Sequence, residues 1–288
     1  MLGQKSRGDP MIEKRRFALN RIACPSLSLE DFFRLAAELG LSKVELRNDL
    51  PGAKITDGLS PSRAASLAHA NGVHVITINA LQKFNLKEAR QKAADELERL
   101  LDTAAEIHCP AIVLCPNNDT ADRRDAKTKV AETVEALKVF GPSFMKRGIL
   151  GYLEPLGFHE SSLASIIVAA EAIRSAGLSC YHTVYDTFHH YLGPDTENDI
   201  GPHYNVSNTG LIHVSAVEAD IPTENYKDEH RVLPGPKDKT FCKEQIARHD
   251  RLGYKGDVSF EPFSTDVQRL DRERLMAALR ASIQYLEG

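Results

Sequence analysis

Four residues with metal-binding side chains each end a short apolar segment of the chain: Glu154, Asp186, His213 and Glu261. A buried strand that ends on a carboxylate or an imidazole must give that group a partner, because an unpaired buried charge costs several kcal/mol or more. Three carboxylates and one imidazole that meet at one point would form a hard, oxygen-rich ligand set for one divalent cation. This set suits Mn²⁺, Mg²⁺ or Co²⁺, and Zn²⁺ or Fe²⁺ would also fit it.

Each of these residues also has an ordinary structural interpretation. A single acidic residue at the end of a strand is usually a loop cap or one half of a surface ion pair. Four such residues in succession, all at the C-terminal ends of predicted strands, are hard to explain in that way. The succession therefore favours a shared metal site.

The elements that must position these residues alternate regularly along the chain. Short apolar runs predict strands at 17–22, 43–47, 73–79, 111–115, 149–154, 179–186, 211–215 and 257–261. Helical periodicity and capping residues predict helices at 28–39, 60–71, 86–107, 125–146, 163–176, 239–252 and 267–286. The segment between the sixth and seventh strands has only weak helical character.

This alternation predicts an α/β protein with a closed (β/α)8 TIM barrel. The 288 residues give about 36 residues for each βα unit, which is what such a barrel needs. The competing doubly wound sheet usually carries a glycine-rich turn after its first strand. Here that turn, 23–26, reads Ala-Cys-Pro-Ser, and no GxGxxG or Walker sequence occurs. We therefore expect a flexible N-terminal tail at 1–16 and a single barrel domain at 17–288.

The barrel topology explains how groups that are far apart in the sequence could meet. All strands of a parallel barrel point the same way, so their C-terminal ends surround one mouth. Glu154, Asp186, His213 and Glu261 would belong to strands five to eight and would lie on one half of that rim. They are the predicted metal ligands.

Further polar residues would reach the same rim and are predicted substrate contacts: His189, Arg231, Asn79, Glu45 and Arg47. Arg231 suits the binding of a substrate oxygen or the orientation of a carboxylate. Glu45 and Arg47 share one face of the second predicted strand, so an ion pair between them is an equally good interpretation. His189 by itself would more often be a structural histidine.

Bulk properties exclude several other classes of function. The net charge is −4 and the pI is about 6.3, so no electrostatic feature indicates nucleic acid as a partner. No apolar stretch approaches the ~20 residues of a membrane span, and residues 1–16 lack the apolar core of a secretory signal. The five cysteines show no CxxC spacing and are expected to be free thiols. Cys109, Cys115 and Cys180 are expected in the core, and no cysteine is expected at the metal. We expect a cytoplasmic protein without a membrane partner.

From Phe17 onward the chain resembles the xylose-isomerase-like TIM barrels, the superfamily of sugar isomerases and epimerases that also includes endonuclease IV. Within that superfamily it is similar to the inosose (2-keto-myo-inositol) isomerases. The segments that carry the resemblance are 44–47, 78–81, 153–157, 186–189, 212–213, 228–235 and 260–263.

The resemblance implies an intramolecular oxidoreductase, a divalent-metal-dependent isomerase of inositol and carbohydrate catabolism. Such an enzyme shifts the carbonyl of a small keto-polyol substrate through an enediolate. Glu154 and Glu261 would exchange the carbon-bound proton, and His189 and Arg231 would contact substrate. The chain departs from the inosose enzymes at His230, where they tend to carry an acidic residue, and at the inserted 236–238.

Four alternatives stay open at this point. A ketose 3-epimerase would use the same groups, and an inosose dehydratase would use the same scaffold and metal. An endonuclease IV-type repair enzyme would account for the Asp228-x-His230 pattern but needs histidines where this chain has Asn79 and Cys115. The fourth is a non-catalytic sugar-binding protein. Barrels of this group often form homo-oligomers, although the sequence identifies no contact surface.

Overall fold

Eight parallel strands close into a barrel in the computed structural model, which describes residues 12–52 and 54–288. The barrel strands are β1 Phe17–Asn20, β2 Lys43–Arg47, β3 His74–Leu81, β4 Ala111–Leu114, β5 Leu150–Leu153, β6 Tyr181–Asp186, β7 Thr209–Val214 and β10 Asp257–Phe260. They are neighbours in chain order, and β10 closes the ring against β1. Two short strands, β8 Ala216–Val217 and β9 Arg231–Val232, pair antiparallel beside the barrel. The predicted (β/α)8 fold is confirmed.

Helices follow the strands and surround them. They are α1 Leu29–Leu39, α2 Pro61–Ala70, α3 Arg90–Glu106, α4 Ala126–Arg147, α5 Ile166–Ala176, α6 Thr187–Leu192, α7 Cys242–Arg251, α8 Thr265–Gln268 and α9 Arg272–Glu287. Side-chain caps fix where several begin: the Ser28 hydroxyl accepts from the amide of Asp31, for example. The predicted helix 267–286 is in fact two helices, because Ser264 and Asp271 each cap a separate N-terminus. No helix in the described residues is long and apolar enough to cross a membrane.

Alternate strand residues pack on opposite sides of the barrel wall. Val113, Val184 and Leu211 belong to a small apolar cluster contributed only by strands and their ends. Their neighbours Ile112 and Ile212 belong to the large cluster that includes the surrounding helices. This alternation is the two-residue period of a strand whose two faces are both buried, so the core has an inner part and an outer layer.

One irregularity in the barrel bears on the site. In the β2–β3 pair, Val44 lies opposite Val75, but the next residue, Glu45, lies opposite Thr77. β3 therefore contains one extra residue at this point, a local shift of the kind a β-bulge produces. Beyond it, Asn79 lies opposite Arg47, which brings the polar ends of both strands level with one another.

Residues 1–11 of the predicted tail lie outside the described residues. In residues 12–16, which the same prediction assigned to the tail, Ile12 and Arg16 are buried, whereas residues 13–15 are exposed. The Arg16 guanidinium donates to both carboxylate oxygens of Asp250 at 2.7 and 2.9 Å, and to the carbonyl of Gly256 at 2.7 Å.

All five cysteines are free and buried. Burial raises the pKa of the Cys24 and Cys109 thiols to about 12. Because the thiolate is the reactive form, we expect Ellman's reagent to modify the native protein about two to three orders of magnitude more slowly than the unfolded protein. Stopped-flow absorbance with and without guanidinium measures both rates. Five thiols that react in the native protein at the rate of free cysteine would contradict this burial.

Candidate metal centre

The four predicted ligands converge at the C-terminal mouth of the barrel. Asp186 ends β6 and His213 lies in β7, while Glu154 and Glu261 directly follow β5 and β10. Each of the four offers one ligand atom, and these atoms all lie within 4.8 Å of one another. All four residues are buried. The structure therefore brings together the groups that the strand ends predicted to meet.

Backbone hydrogen bonds hold the two glutamates in place. The amide of Glu154 donates to the carbonyl of Leu114 at 3.1 Å, and the amide of Glu261 donates to the carbonyl of Val214 at 3.0 Å. Parallel pairing with the neighbouring strand thus continues one residue beyond each assigned strand. This extension gives both carboxylates a rigid backbone.

His213 sits between two sets of carboxylates. Its Nε2 lies 3.0 Å from Oε2 of Glu45, and its Nδ1 lies 2.7 Å from Oε1 of Glu154 and 3.2 Å from Oε2 of Glu261. Because carboxylates face both ring nitrogens, a neutral ring, which carries one N–H, would present a lone pair to a carboxylate on its other nitrogen. A positive charge is required there, either a second proton on the ring or a metal ion.

The pKa of His213 reflects the same geometry. Although burial by itself would lower it, the carboxylates of Glu261, Glu45 and Glu154 raise the pKa of His213 well above its usual value. Around this ring, four buried carboxylates face two buried guanidiniums, those of Arg47 and Arg231. These two arginines also pair with Asp49 and Asp228, so negative charge is in excess at the cluster and a cation would offset it. The donor set and its charge thus fit a divalent metal.

Two arginines fix the orientation of the carboxylates. Nη2 of Arg231 donates to Oδ2 of Asp186 at 2.5 Å and to Oε2 of Glu261 at 2.8 Å. Nη1 of Arg47 donates to Oε1 of Glu261 at 2.8 Å. The ring of Phe263 lies 5.1 Å from the Arg47 guanidinium and 4.6 Å from that of Arg231. Each oxygen of Glu261 therefore has an arginine partner.

These contacts keep Glu261 ionised. Burial by itself would raise the pKa of Glu261, but the charges of His213, Arg231 and Arg47 hold that pKa well below its usual value. An ionised carboxylate can ligate a cation or accept a proton, which a neutral carboxyl group cannot do.

Glu45 and Arg47 do not pair with each other, contrary to one of the two interpretations of strand β2. Arg47 binds Asp49 through two hydrogen bonds of 2.7 Å as well as Glu261. Glu45 is fully buried, and its partners are His213 and the side chains of Thr77, Asn79 and Asn20. The structure therefore places Glu45 behind the cluster, where no substrate could touch it.

A cavity of about 260 Å³ opens directly above the cluster. Its wall contains the other four predicted substrate contacts, Asn79, Arg47, His189 and Arg231, together with Glu154 and Glu261. Polar groups that converge on a concave space of this size form a typical small-molecule site.

His189 and Asn118 are pocket residues with unused hydrogen-bonding capacity. Nε2 of His189 lies 3.4 Å from Nη1 of Arg231, whereas its Nδ1 is buried and has no partner. Burial, together with the charge of Arg231, lowers the pKa of His189 to about 4, so the ring is neutral at neutral pH. The ring of Phe158 holds it edge-on at 5.1 Å between centroids. Nδ1 of His189 can therefore bond to a ligand hydroxyl.

Sequence reasoning did not place several residues of the pocket wall there, among them Cys115, Phe158 and Phe263. Cys115 is in the core, as expected, and its Sγ also lies 3.5 Å from Oε2 of Glu154. It follows β4 directly, so the strand-end rule that found Glu154 could also have found Cys115. Phe263 lies two residues beyond Glu261 and was reachable by the same rule, whereas no periodic signal marks Phe158.

One glycine brings two parts of the pocket wall together. A Cβ atom built on Gly157 would lie 1.9 Å from the carbonyl oxygen of His189. Only glycine allows the loop after β5 to touch the backbone of α6 in this way. The loop that begins with Glu154 and the helix that carries His189 are therefore in direct contact.

Comparison with known proteins agrees with this geometry. Residues 33–287 match the family described as the xylose isomerase-like TIM barrel. The chain belongs to this family. A xylose isomerase domain-containing protein from Salmonella typhimurium is 38% identical to this family member, with a TM-score of 0.89 over 96% of this chain and 98% of that one.

More distant xylose isomerase-like barrels share the fold. The IolI protein, solved with a bound zinc atom, is 17% identical, with a TM-score of 0.86 over 94% of this chain and 97% of that one. D-psicose 3-epimerase from Clostridium cellulolyticum, solved with D-tagatose, is 18% identical, with a TM-score of 0.71 over 95% of this chain and 100% of that one. No curated protein matches the chain significantly.

Proposed function

We propose that this protein is a divalent-metal-dependent isomerase that shifts the carbonyl of a keto-polyol of the 2-keto-myo-inositol type, as required in inositol breakdown. The observation that carries the proposal is the group of four buried donor atoms, within 4.8 Å of one another, at the base of a polar cavity. The zinc atom bound by the structurally similar IolI protein supports a bound metal. The sequence segments shared with inosose isomerases support the substrate class.

Glu154, Asp186, His213 and Glu261 would hold the metal. When bound, a divalent cation supplies Lewis acidity, which makes the hydrogen on the carbon beside a carbonyl more acidic. The set fits Mn²⁺, Co²⁺, Mg²⁺, Zn²⁺ or Fe²⁺ by its chemistry.

The protein's own groups would move the proton. Glu154 and Glu261 both line the cavity and both carry carboxylates. One takes the carbon-bound proton and the other assists its return to the neighbouring carbon. A carboxylate can bind a cation with one oxygen and take a proton on the other; in Glu261 that oxygen would first have to give up its hydrogen bond from Arg47 or Arg231.

His189 and Arg231 would hold the substrate oxygens. Nδ1 of His189 is a buried polar atom of the wall without a partner, and the ring is neutral at neutral pH. Arg231 is kept in place by Asp186 and Glu261, so it offers a fixed positive charge to oxygens that become negative during enolisation. A fixed charge of this kind needs no rearrangement as the reaction proceeds.

A ketose 3-epimerase is the second candidate, because the D-psicose 3-epimerase fold extends over 95% of this chain. The same proton transfer would then return the proton to the opposite face of the same carbon. A repair nuclease with additional metals has no such support. Within residues 12–52 and 54–288, the Glu154 cluster is the one group found that could hold a metal, and His230 instead accepts from the amide of Lys227 at 3.0 Å.

The proposal is tested by incubating the Mn²⁺-loaded protein with 2-keto-myo-inositol in D₂O and following the products by NMR. We expect deuterium beside the carbonyl and a second, isomeric ketone, both abolished by EDTA. A new ultraviolet absorbance from a conjugated diketone would instead indicate a dehydratase. Exchange and inversion at C3 of a ketohexose, without reaction of the cyclic ketone, would indicate the epimerase. No exchange with either substrate would refute an isomerase.

A further inference from the structure

Glu45 is a buried carboxylate that the proposed chemistry does not use. It is the middle residue of β2 and is 0% exposed. Its Oε2 accepts from Nε2 of His213 at 3.0 Å, from Nδ2 of Asn79 at 2.8 Å and from the hydroxyl of Thr77. Its Oε1 accepts from Nδ2 of Asn20 at 3.2 Å. Every partner is a donor, so the site accommodates a carboxylate and would leave an amide group poorly matched.

The surrounding strands hold this carboxylate in one place. Asn20, Thr77 and Asn79 lie on β1 and β3, the two neighbours of β2. The extra residue in β3 brings Thr77 opposite Glu45. Three donors from two strands therefore hold the carboxylate before His213 is considered. The hydrogen bonds therefore leave the side chain of Glu45 few alternative conformations.

The contact between Glu45 and His213 decides which ring nitrogen faces the other ligands. With a cation at Nδ1, a carboxylate on Nε2 would keep the proton on Nε2 and leave the lone pair of Nδ1, the nitrogen that faces Glu154 and Glu261, for the cation. A carboxylate hydrogen-bonded to Nε2 also makes Nδ1 a stronger electron-pair donor to a cation. Glu45 thus controls the tautomer, the ring orientation and the donor strength of one ligand.

We propose that Glu45 is a positioning residue that acts on the metal through His213, and that it does not contact substrate. The proposal rests on the metal-dependent function proposed above. It replaces the interpretation of Glu45 as a substrate contact, because no part of its side chain reaches the cavity.

The experiment measures Co²⁺ affinity by competition with a chelating dye, together with the visible absorption of the Co²⁺ complex. We expect Glu45→Gln to weaken Co²⁺ binding by about 10- to 100-fold and to change the absorption spectrum. Glu45→Asp, which keeps the charge, should lose less affinity than Glu45→Gln. Circular dichroism shows whether Glu45→Gln folds. If it does not, Glu45→Asp provides the test, because its shorter side chain moves the carboxylate away from His213. Unchanged Co²⁺ affinity and spectrum in Glu45→Asp would then overturn the proposal.

Two further variants distinguish this role from a general loss of structural integrity. Asp250→Asn also removes a buried carboxylate, one that binds Arg16 instead of a ligand, and should bind Co²⁺ as the wild type does. In a His213→Ala background, Glu45→Gln should weaken Co²⁺ binding by less than about twofold, because its effect passes through the imidazole. An equal loss with and without His213, or wild-type affinity in Glu45→Gln, would overturn the proposal. A wild-type protein that binds no metal would instead refute the proposed function.

Discussion

Glu261→Gln is expected to lower turnover of the keto-polyol by about 10³-fold or more, while the protein remains folded. The substitution keeps the shape of the side chain but removes both its charge and its ability to accept a proton. Glu261 is also a proposed metal ligand and the shared partner of Arg47 and Arg231, so positioning and proton transfer fail together. Initial rates of isomerisation with metal at saturating concentration measure the effect.

The fold should survive this change because both arginines keep other anions. Arg47 retains Asp49, and Arg231 retains Asp186 and Asp228. Glu132→Gln is the matched control, since it removes a carboxylate that pairs with Arg124 at 2.6 Å outside the cavity. It should turn over substrate at the wild-type rate. Near-normal activity of Glu261→Gln at saturating metal would remove Glu261 from the acid–base chemistry.

Arg16→Met is expected to destabilise the fold by about 3–5 kcal/mol. It leaves the carboxylate of Asp250 buried without its bidentate partner, since the two side chains are only 7% and 2% exposed. The loss should appear as a lower urea midpoint with an unchanged denaturant dependence, provided that unfolding is two-state.

The double variant Arg16→Met with Asp250→Leu tests the cause. If an isolated buried charge is responsible for the loss, removal of both charges should recover most of the stability. A surface pair such as Arg34 with Glu30 gives the contrasting case: Arg34→Met should change the free energy of unfolding by less than about 1 kcal/mol. A small effect of Arg16→Met would mean that water reaches Asp250.

The barrel and the cluster of four buried side chains were predictable because their signals are local. Apolar runs and caps such as Ser28 locate the elements, and the parallel topology then requires the strand ends to meet. Glu154, Asp186, His213 and Glu261 each stand at such an end, so a rule about one strand at a time was enough to find them.

The role of Glu45 was not predictable in the same way. Its partners come from β1, β3 and β7, and its alignment with Thr77 depends on one extra residue in β3. Register between strands is a property of the pairing and not of either sequence alone. The sheet of β8 and β9 was missed for a different reason: two residues per strand give no periodicity.

The contact at Gly157 also constrains how the pocket could move. The carbonyl of His189 lies directly against Gly157. The loop after β5 therefore cannot slide over α6, and this side of the mouth is rigid. The segment after β3 is held as well, because the amide of Phe84 donates to the carbonyl of Cys115 at 3.2 Å and the buried Asn85 donates to Thr133 and Ser162 at 2.9 Å. Two parts of the cavity wall are thus fixed by contacts within the protein, which favours a cavity that has its shape before a ligand enters.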